Sequence, residues 1–547
     1  MRKNSKLIIT AGVLLVLILL VLMLRGGSKY GDVQLSPGNI EVPTARTLQW
    51  KTQSVFADSI CNQWAGRSIS DKSLDGKGNA PRILLAKLWM KSDIPEANKT
   101  ILKLTAWGVS GTSWVLNKKG DYDFSITIYT TILYLFGDQP ELLYPETKKY
   151  ILNVLLTEEG NKFRTKAPRT LGLVGETENH VLMTEGSKYL KNQWLRNHGN
   201  QDPRYDNVQN GMENHLLDFL AGMITNGLYE FNSLPYIGYT ITALLNLEAF
   251  ASDKLKKEAR NVLDYMNWTY ALGSYQLKHY PPMRRRYEKA GITDITTDYQ
   301  SIFMKSWLSF SPVTEFDKNI GGGEVHALMG AIMPYRPADK VVETIFDKGN
   351  GYFVKLGHGP QSCPEIFSAG KKFLLSAGGV NRGKFSIIVA RPITLFLNDH
   401  AQDLSETIHL AGPGSDFMKW NNTGVYQNLA CAAGPVVIPK TFHPAAKNDL
   451  WSVYTSGDSL LIAVHSTADF GVISVFRQSD AARLLTELTK ANSDLDKLKT
   501  SFQFPEGPKI TYDVLAPEDK WVMVSADGQM LDREFDKWPL INRVLKN

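Results

Sequence analysis

The sequence predicts an α+β multidomain chain: an N-terminal transmembrane anchor, an all-helical domain and a C-terminal antiparallel β-sandwich. Three observations carry that expectation. An uncharged apolar run follows Arg2, Lys3 and Lys6. From about residue 50 to 310, apolar residues recur at helical spacing. After Ser311 they fall into short β-branched or aromatic runs separated by Gly, Pro, Asn and Asp. At 547 residues the chain is also longer than one hydrophobic core usually serves.

The apolar run, residues 7–24, is just long enough to span a bilayer as a helix. Neither a small-residue cleavage pattern nor a lipidation cysteine follows it, so residues 1–28 read as an uncleaved anchor, with a cleaved signal as the alternative. The basic residues before the run should stay cytoplasmic, which places the bulk of the chain in a periplasmic or extracellular space. Residues 29–48, with several Gly and Pro, read as a tether.

In the helical domain, residues 49–310, Met212, Leu216, Phe219, Leu220 and Met223 share one helix face. Leu255, Ala259, Val262, Leu263 and Met266 repeat that spacing, and Tyr150, Ile151 and Leu155, like Leu182 and Tyr189, fit the same template. Helices with no strands between them predict an all-α domain, open to a bundle, a solenoid or a closed toroid. Residues 311–547 form the β domain. Runs at 372–379, 385–391, 393–398, 450–455, 459–465, 471–477, 509–514 and 520–525 alternate with turn residues, as in a β-sandwich, and a helix interrupts them at 480–498.

Composition narrows the function. With 43% hydrophobic and 21% charged residues the chain is globular, not disordered. A net charge of +6 is too mild at this length to point to nucleic acid, and suits a polyanion only where clustered. Cys61, Cys363 and Cys431 fit no metal motif and allow one disulfide plus a free thiol at most. No HExxH or CxxC pattern occurs and the glycines before His326 lack a following GK[ST], so neither metal nor cofactor is expected.

Two stretches organise the candidate site. Residues 226–236, NGLYEFNSLPY, place Glu230, Asn232, Ser233 and Tyr236 in a turn that opens an apolar helix, with Gly227 allowing the turn and Ser233 as candidate N-cap. Residues 175–180, GETENH, put Glu176, Glu178, Asn179 and His180 at another helix start, where free N–H groups favour anions. The two stretches are expected to converge on a carbohydrate-binding cleft, with Glu178, Glu230 and Asn232 toward substrate. In a purely structural role the acidic residues cap helices, and Tyr236 packs against Ile237 and Ile241. GMENH, residues 211–215, repeats the Glu-Asn-His triplet, so Glu213 and His215 either orient substrate or brace the fold. PPMRRR, residues 281–286, is either a solvated loop or an anion clamp built on Arg284 and Arg285. His358 opens the β domain.

Gly227, Glu230, Ser233 and Tyr236 resemble the Gly, Glu, Ser, Tyr signature of heparinase II/III-like and alginate polysaccharide lyases. The Ser-x-x-Tyr part matches directly. Members usually have Glu-x-Ser, whereas Phe231 and Asn232 separate Glu230 from Ser233 here. An upstream Asn-His pair is also typical, and Asn179 and His180 stand there. The resemblance implies an α/α toroid followed by a β-sandwich, and β-elimination beside a uronic acid carboxylate. It gives Tyr236 the role of Brønsted acid, and in some members base, and gives Asn179 and His180 the carboxylate-facing role. His358 stands for a β-domain histidine that completes the site in some members, without the Asp that usually follows it closely.

That chemistry is physically reasonable. Removing the C5 proton adds charge to an anion, and neutralising the neighbouring carboxylate lowers the barrier. A tyrosine of ordinary pKa, ~10, donates to the departing glycosidic oxygen; as a base it needs positive charge nearby, which Arg284, Arg285 and Arg286 can supply. A glycoside hydrolase on a similar helical toroid is the alternative enzyme, with Glu178 and Glu230 as its carboxylate pair and Glu213 or Asp123 in reserve. A membrane-anchored glycan-binding protein without turnover is the non-catalytic alternative.

Overall fold

The computed structural model describes residues 41–70, 79–285, 291–321, 324–358, 363–383, 386–412, 419–457 and 459–538. The predicted anchor, residues 1–28, and the tether as far as residue 40 lie outside the described residues. Among the described residues no helix is long and apolar enough to cross a membrane. The fold is mixed α+β, with helices first and antiparallel sheets toward the C-terminus.

The helices are α1 (Val55–Ala65), α2 (Ala80–Trp89), α3 (Ile94–Ile101), α4 (Asp123–Phe136), α5 (Pro145–Tyr150, continued by a π-turn over Ile151–Leu155), α6 (Glu178–Asn197), α7 (Met212–Asn226), α8 (Ile237–Phe250), α9 (Asp253–Gly273), α10 (Tyr299–Leu308), α11 (Glu324–Ile332) and α12 (Asp339–Phe346). The apolar spacing in the sequence becomes buried faces. Met212, Leu216, Leu220 and Met223 of α7 are buried, as are Leu255, Ala259, Val262, Leu263 and Met266 of α9. A fully buried Leu, Met or Val contributes roughly 1.5–3 kcal/mol, so each face outweighs the weak intrinsic helix propensity of its segment. The packing order is a circuit: α1 on α2, α2 on α4, α4 on α6, α6 on α8, α8 on α10, α10 on α11, and α11 back on α1.

Two expectations about this part need correction. Helices continue past residue 310, through α11 and α12, and the change to strand falls at β4 (Tyr352–Leu356). These helices are short and flanked by Gly and Pro, which reads as loop chemistry in the sequence. Strands also occur before residue 310. β1 (Ser274–Tyr275) and β2 (Lys278–His279) pair across Gln276 and Leu277, both at positive φ. β3 (Met283–Arg284) pairs with β8 (Ile388–Val389), setting Met283 against Val389 and Arg284 against Ile388. Two-residue strands are too short to show any alternation, so the pattern could not reveal them.

A six-stranded antiparallel sheet runs β14 (Val436–Val437), β10 (Ile408–Leu410), β9 (Ile393–Leu397), β6 (Phe373–Gly378), β5 (Glu365–Gly370) and β4. A second runs β12 (Val425–Tyr426), β13 (Leu429–Ala432), β18 (Gly471–Phe476), β17 (Leu460–Ser466), β16 (Ser452–Ser456) and β15 (Pro444–Lys447). The first sheet is buried on both faces. Val354, Phe367, Leu374 and Phe396 join the helical core, while their neighbours Phe353, Ile366, Leu375 and Leu395 join the core shared with the second sheet. Successive side chains point to opposite faces, so a strand between two apolar layers reads as a continuous apolar run, as ITLFL does here. Gly273 ends α9 against this sheet, where an added Cβ would lie 2.6 Å from the Phe367 ring. The predicted 480–498 helix is two helices, Ala481–Ala491 and Leu495–Leu498. Cys61, Cys363 and Cys431 are buried free thiols.

Candidate functional site

The first turns of six helices meet at one place in the circuit. Arg82 comes from α2, Asp123 and Phe124 from α4, His180 from α6, Tyr239 from α8, Tyr299 from α10 and His326 from α11. Phe124 touches both His180 (ring centroids 5.6 Å apart) and Tyr239 (4.3 Å). Tyr239 and Tyr299 both contact His326, at 4.9 and 4.1 Å, and Arg82 lies over Tyr239 at 5.9 Å. Helix starts expose backbone N–H groups and the positive end of the dipole, so this end of the helices favours negative charge.

The two predicted stretches do converge. Gly227, at φ 75°, ends α7, and Asn232, at φ 50°, turns the chain again before α8. Between them Glu230 points inward, and its backbone N–H donates to Glu178 Oε1 at 2.6 Å. Ser233 is not the N-cap of α8. Its carbonyl accepts from Tyr236 N and Ile237 N, which makes Tyr236 the capping residue and leaves the Ser233 hydroxyl buried without a hydrogen bond. Tyr236 is half-buried at the helix mouth.

At the start of α6, Asn179 Oδ1 accepts from His180 N (2.7 Å) and from the Thr177 hydroxyl, and its Nδ2 is a buried donor without an acceptor among the described residues. His180 is 3% exposed; its Nδ1 lies 2.5 Å from Asp123 Oδ2 and its Nε2 3.9 Å from Asp121 Oδ1. Burial opposes charge on this imidazole, but Asp123, backed by Glu176 and Glu230, outweighs it and raises the pKa above the ordinary value. Glu176 accepts from Thr112 N (3.0 Å) and from the Thr112 hydroxyl. Asp121, itself at positive φ, accepts from Ser113 N (2.9 Å).

The β3–β8 pairing brings Arg284 and Arg285 against the 228–237 loop. Arg284 N donates to Phe231 O (3.1 Å) and Arg285 N to Ile387 O (2.6 Å). The Arg285 guanidinium bonds Glu230 Oε1 and lies 5.0 Å from the Tyr236 ring; Arg284 lies 3.9 Å over Tyr229. Burial lowers the Arg284 pKa, against Tyr229 and Glu178 nearby. Burial also opposes the Arg285 charge, and Glu230 more than restores it. Arg286 lies outside the described residues.

His358 stacks on Phe231 at 3.9 Å and sits 3.7 Å from Glu365 Oε1, which also accepts from Asn232. These contacts set His358 between Phe231 and β5 of the first sheet. A cavity of about 30 Å³ lined by Phe231, His358 and Glu365, and another of about 20 Å³ lined by Asn232, His279 and Asp298, flank that loop; each has room for about one water. Glu213 and His215 lie elsewhere. Glu213 Oε2 accepts from Tyr189 (2.9 Å) and Ser252 (2.7 Å), tying α6 to the start of α9, and His215 is exposed and stacks on Phe163.

A cavity of about 570 Å³ lies in the C-terminal part, against Phe373, Phe476 and Phe504. Its Arg483 is already paired with Glu487 (2.7 Å) and Glu506 (3.7 Å), and nothing there joins an acid, a base and a buried cation as the helix-start cleft does. Among the described residues no three His, Cys, Asp or Glu side chains group as metal ligands.

Sequence reasoning undervalued Asp123, whose signal was its place beside Asp121 at a helix start, and passed over Arg82, the cation at the head of the apolar segment RILLAKLW. Compared with family models, with curated proteins and with solved structures, the chain matches none.

Proposed function

We propose that this chain is an exported, membrane-anchored polysaccharide lyase that cleaves an acidic, uronic-acid-containing glycan by β-elimination. On this reading the helical circuit is an α/α toroid, and the two face-packed sheets are the β-sandwich behind it. The observation that carries the proposal is Tyr236: a half-buried phenol at the cleft mouth, 5.0 Å below the Arg285 guanidinium.

In the proposed step Tyr236, as the phenolate, takes the C5 proton, the C5–H electron pair forms the C4–C5 double bond, and the C4–O bond breaks; the proton then passes from Tyr236 to the departing oxygen. Arg285, 5.0 Å from the ring, stabilises negative charge on the phenol oxygen. Asp123 holds His180 toward its charged form, which suits neutralising the uronate carboxylate better than accepting the C5 proton. Arg284, over Tyr229, is a second cation for the substrate's carboxylates.

The hydrolase alternative needs two carboxylates facing across a gap that admits a water. Glu178 and Glu230 are each 1% exposed; one is bonded by the other's backbone N–H, and the second by Arg285. Both act as counterions and braces, so elimination fits the geometry better.

The test is a screen of the purified protein against uronic-acid polysaccharides, following ultraviolet absorbance and reducing ends together. Both should rise with the native protein, and neither with Tyr236→Phe, which should keep the native melting temperature. Full activity in Tyr236→Phe, or reducing ends without absorbance, refutes the reading.

A further inference from the structure

Arg82 is 5% exposed, yet it has no carboxylate partner and no hydrogen-bond acceptor among the described residues; its Nε is fully buried and unpaired. Every other buried lysine or arginine among the described residues has an acceptor. Lys188 has Glu185, Lys191 has Glu159, Lys278 has Asp399, Lys305 has Asp317, Lys348 has the carbonyls of Ala271, Ser274 and Thr344, and Arg391 has the Tyr280 hydroxyl. Stability alone does not favour this placement. A buried cation without a partner costs several kcal/mol, and Arg82 sits in the first turn of α2, where the helix dipole opposes positive charge.

Its surroundings complete a site. The half-buried Tyr239 ring faces the guanidinium at 5.9 Å, and the half-buried Tyr299 joins it around His326; neither hydroxyl makes a hydrogen bond among the described residues. His326 Nε2 is likewise buried and unbonded. Burial, reinforced by Arg82, keeps His326 neutral, so it adds no competing charge. Phe124 and Tyr239 then form a continuous aromatic wall from this pocket to His180.

We infer that Arg82, with the Tyr239 and Tyr299 hydroxyls, binds an anionic substituent of the glycan, a carboxylate or a sulfate ester, on a sugar adjoining the one at Tyr236. The assignment to a glycan rests on the proposed lyase function; the anion site itself does not. The guanidinium fork matches two oxygens of either group, and the two phenols supply further donors.

The experiment is thermal melting of the full-length protein with sodium glucuronate, sodium sulfate or, as neutral control, glucose, for the native protein and for Arg82→Met and Arg82→Lys. Glucuronate or sulfate should raise the native midpoint above the glucose control, by clearly less in Arg82→Lys and not at all in Arg82→Met. General salting-out by sulfate affects all three alike and cancels in the comparison. Without added anion, Arg82→Met should melt at least as high as the native protein. Affinity for an oligouronide should fall roughly ten- to hundredfold in Arg82→Met, as expected for lost hydrogen bonds to a charged group. A response to sulfate alone assigns the pocket to a sulfate ester; a response to glucuronate assigns it to a carboxylate. Equal anion responses in native protein and Arg82→Met, no response in either, or a large loss of unliganded stability in Arg82→Met overturns the inference. Because none of these readouts is turnover, a silent elimination assay beside an intact Arg82-dependent response would reject the lyase reading and leave the anion site standing.

Discussion

Asp123→Asn tests whether the buried pair beneath the cleft is charged. Asp123 is fully buried, and one of its carboxylate oxygens lies 2.5 Å from His180 Nδ1. Asparagine keeps an acceptor there and removes the negative charge. A hydrogen bond to a charged group contributes roughly 1.5–3 kcal/mol, and about 2 kcal/mol is therefore the expected loss where the pair is ionised. The pH dependence has a definite sign. The folded pKa of His180 is raised, so the stabilisation is complete below the ordinary imidazole value of ~6.5 and disappears as pH rises through the raised folded value. The loss caused by Asp123→Asn should thus be greatest at about pH 6 and should shrink as pH rises through the raised folded value, where His180 loses its proton in the native protein too. Denaturant unfolding followed by tryptophan fluorescence gives the difference between native and variant at each pH, and other titrating groups cancel in it. A loss that stays constant, or grows, as the pH is raised refutes the charged pair.

Two further outcomes follow from packing. Glu213→Ala removes the acceptor of the buried Tyr189 hydroxyl and the half-buried Ser252 hydroxyl, and should cost about 1–3 kcal/mol in unfolding while leaving the proposed elimination in place; loss of turnover with unchanged melting would return Glu213 to the site. Gly238→Ala would set a Cβ 2.5 Å from the His326 ring, forcing it to move, at a cost of about 1–3 kcal/mol measurable by denaturation, and an unchanged midpoint would rule out that close approach.

How much the sequence revealed depended on the length of each signal. The faces of α7 and α9 were legible because several turns of apolar residues repeat one spacing, and β6, β9, β17 and β18 because each is a dense β-branched or aromatic run. Helices α11 and α12 were hidden by the Gly and Pro around them, and β3 by being two residues long. The convergence of Glu178 with Glu230 was legible because Glu178 opens α6 and Glu230 lies in the polar turn that leads into α8. Arg284 and Arg285 were left between loop and clamp, because what decides it is the pairing of β3 with β8, more than a hundred residues on in the chain. Glu213 and His215 repeat the Glu-Asn-His triplet of α6, yet they brace a different part of the helical layer. A three-residue pattern fixes a position within a turn and says nothing about which end of the circuit that turn faces.

The charges of the cleft divide by depth, and that division separates the proposed chemistry from its alternatives. The carboxylates of Glu178, Glu230 and Asp123 are deeply buried, and each meets a donor: a backbone N–H, the Arg285 guanidinium and the His180 imidazole. Buried carboxylates placed this way fix the orientation of the groups that contact them, because moving any partner would strand a charge in a low-dielectric interior. The half-buried layer above them is different in kind: Tyr229, Tyr236, Tyr239, Tyr299, Arg284 and Arg285 offer phenols and guanidinium groups, with no carboxylate among them. A surface of donors and aromatic rings over an acidic floor repels little from an incoming polyanion, since the floor is neutralised by its own partners. On the proposed function these donors and stacking faces are what a uronate chain would meet. A hydrolase would need that depth order reversed, with one carboxylate reaching the glycosidic oxygen and another holding a water, and neither Glu178 nor Glu230 can do so without breaking the contact that places it.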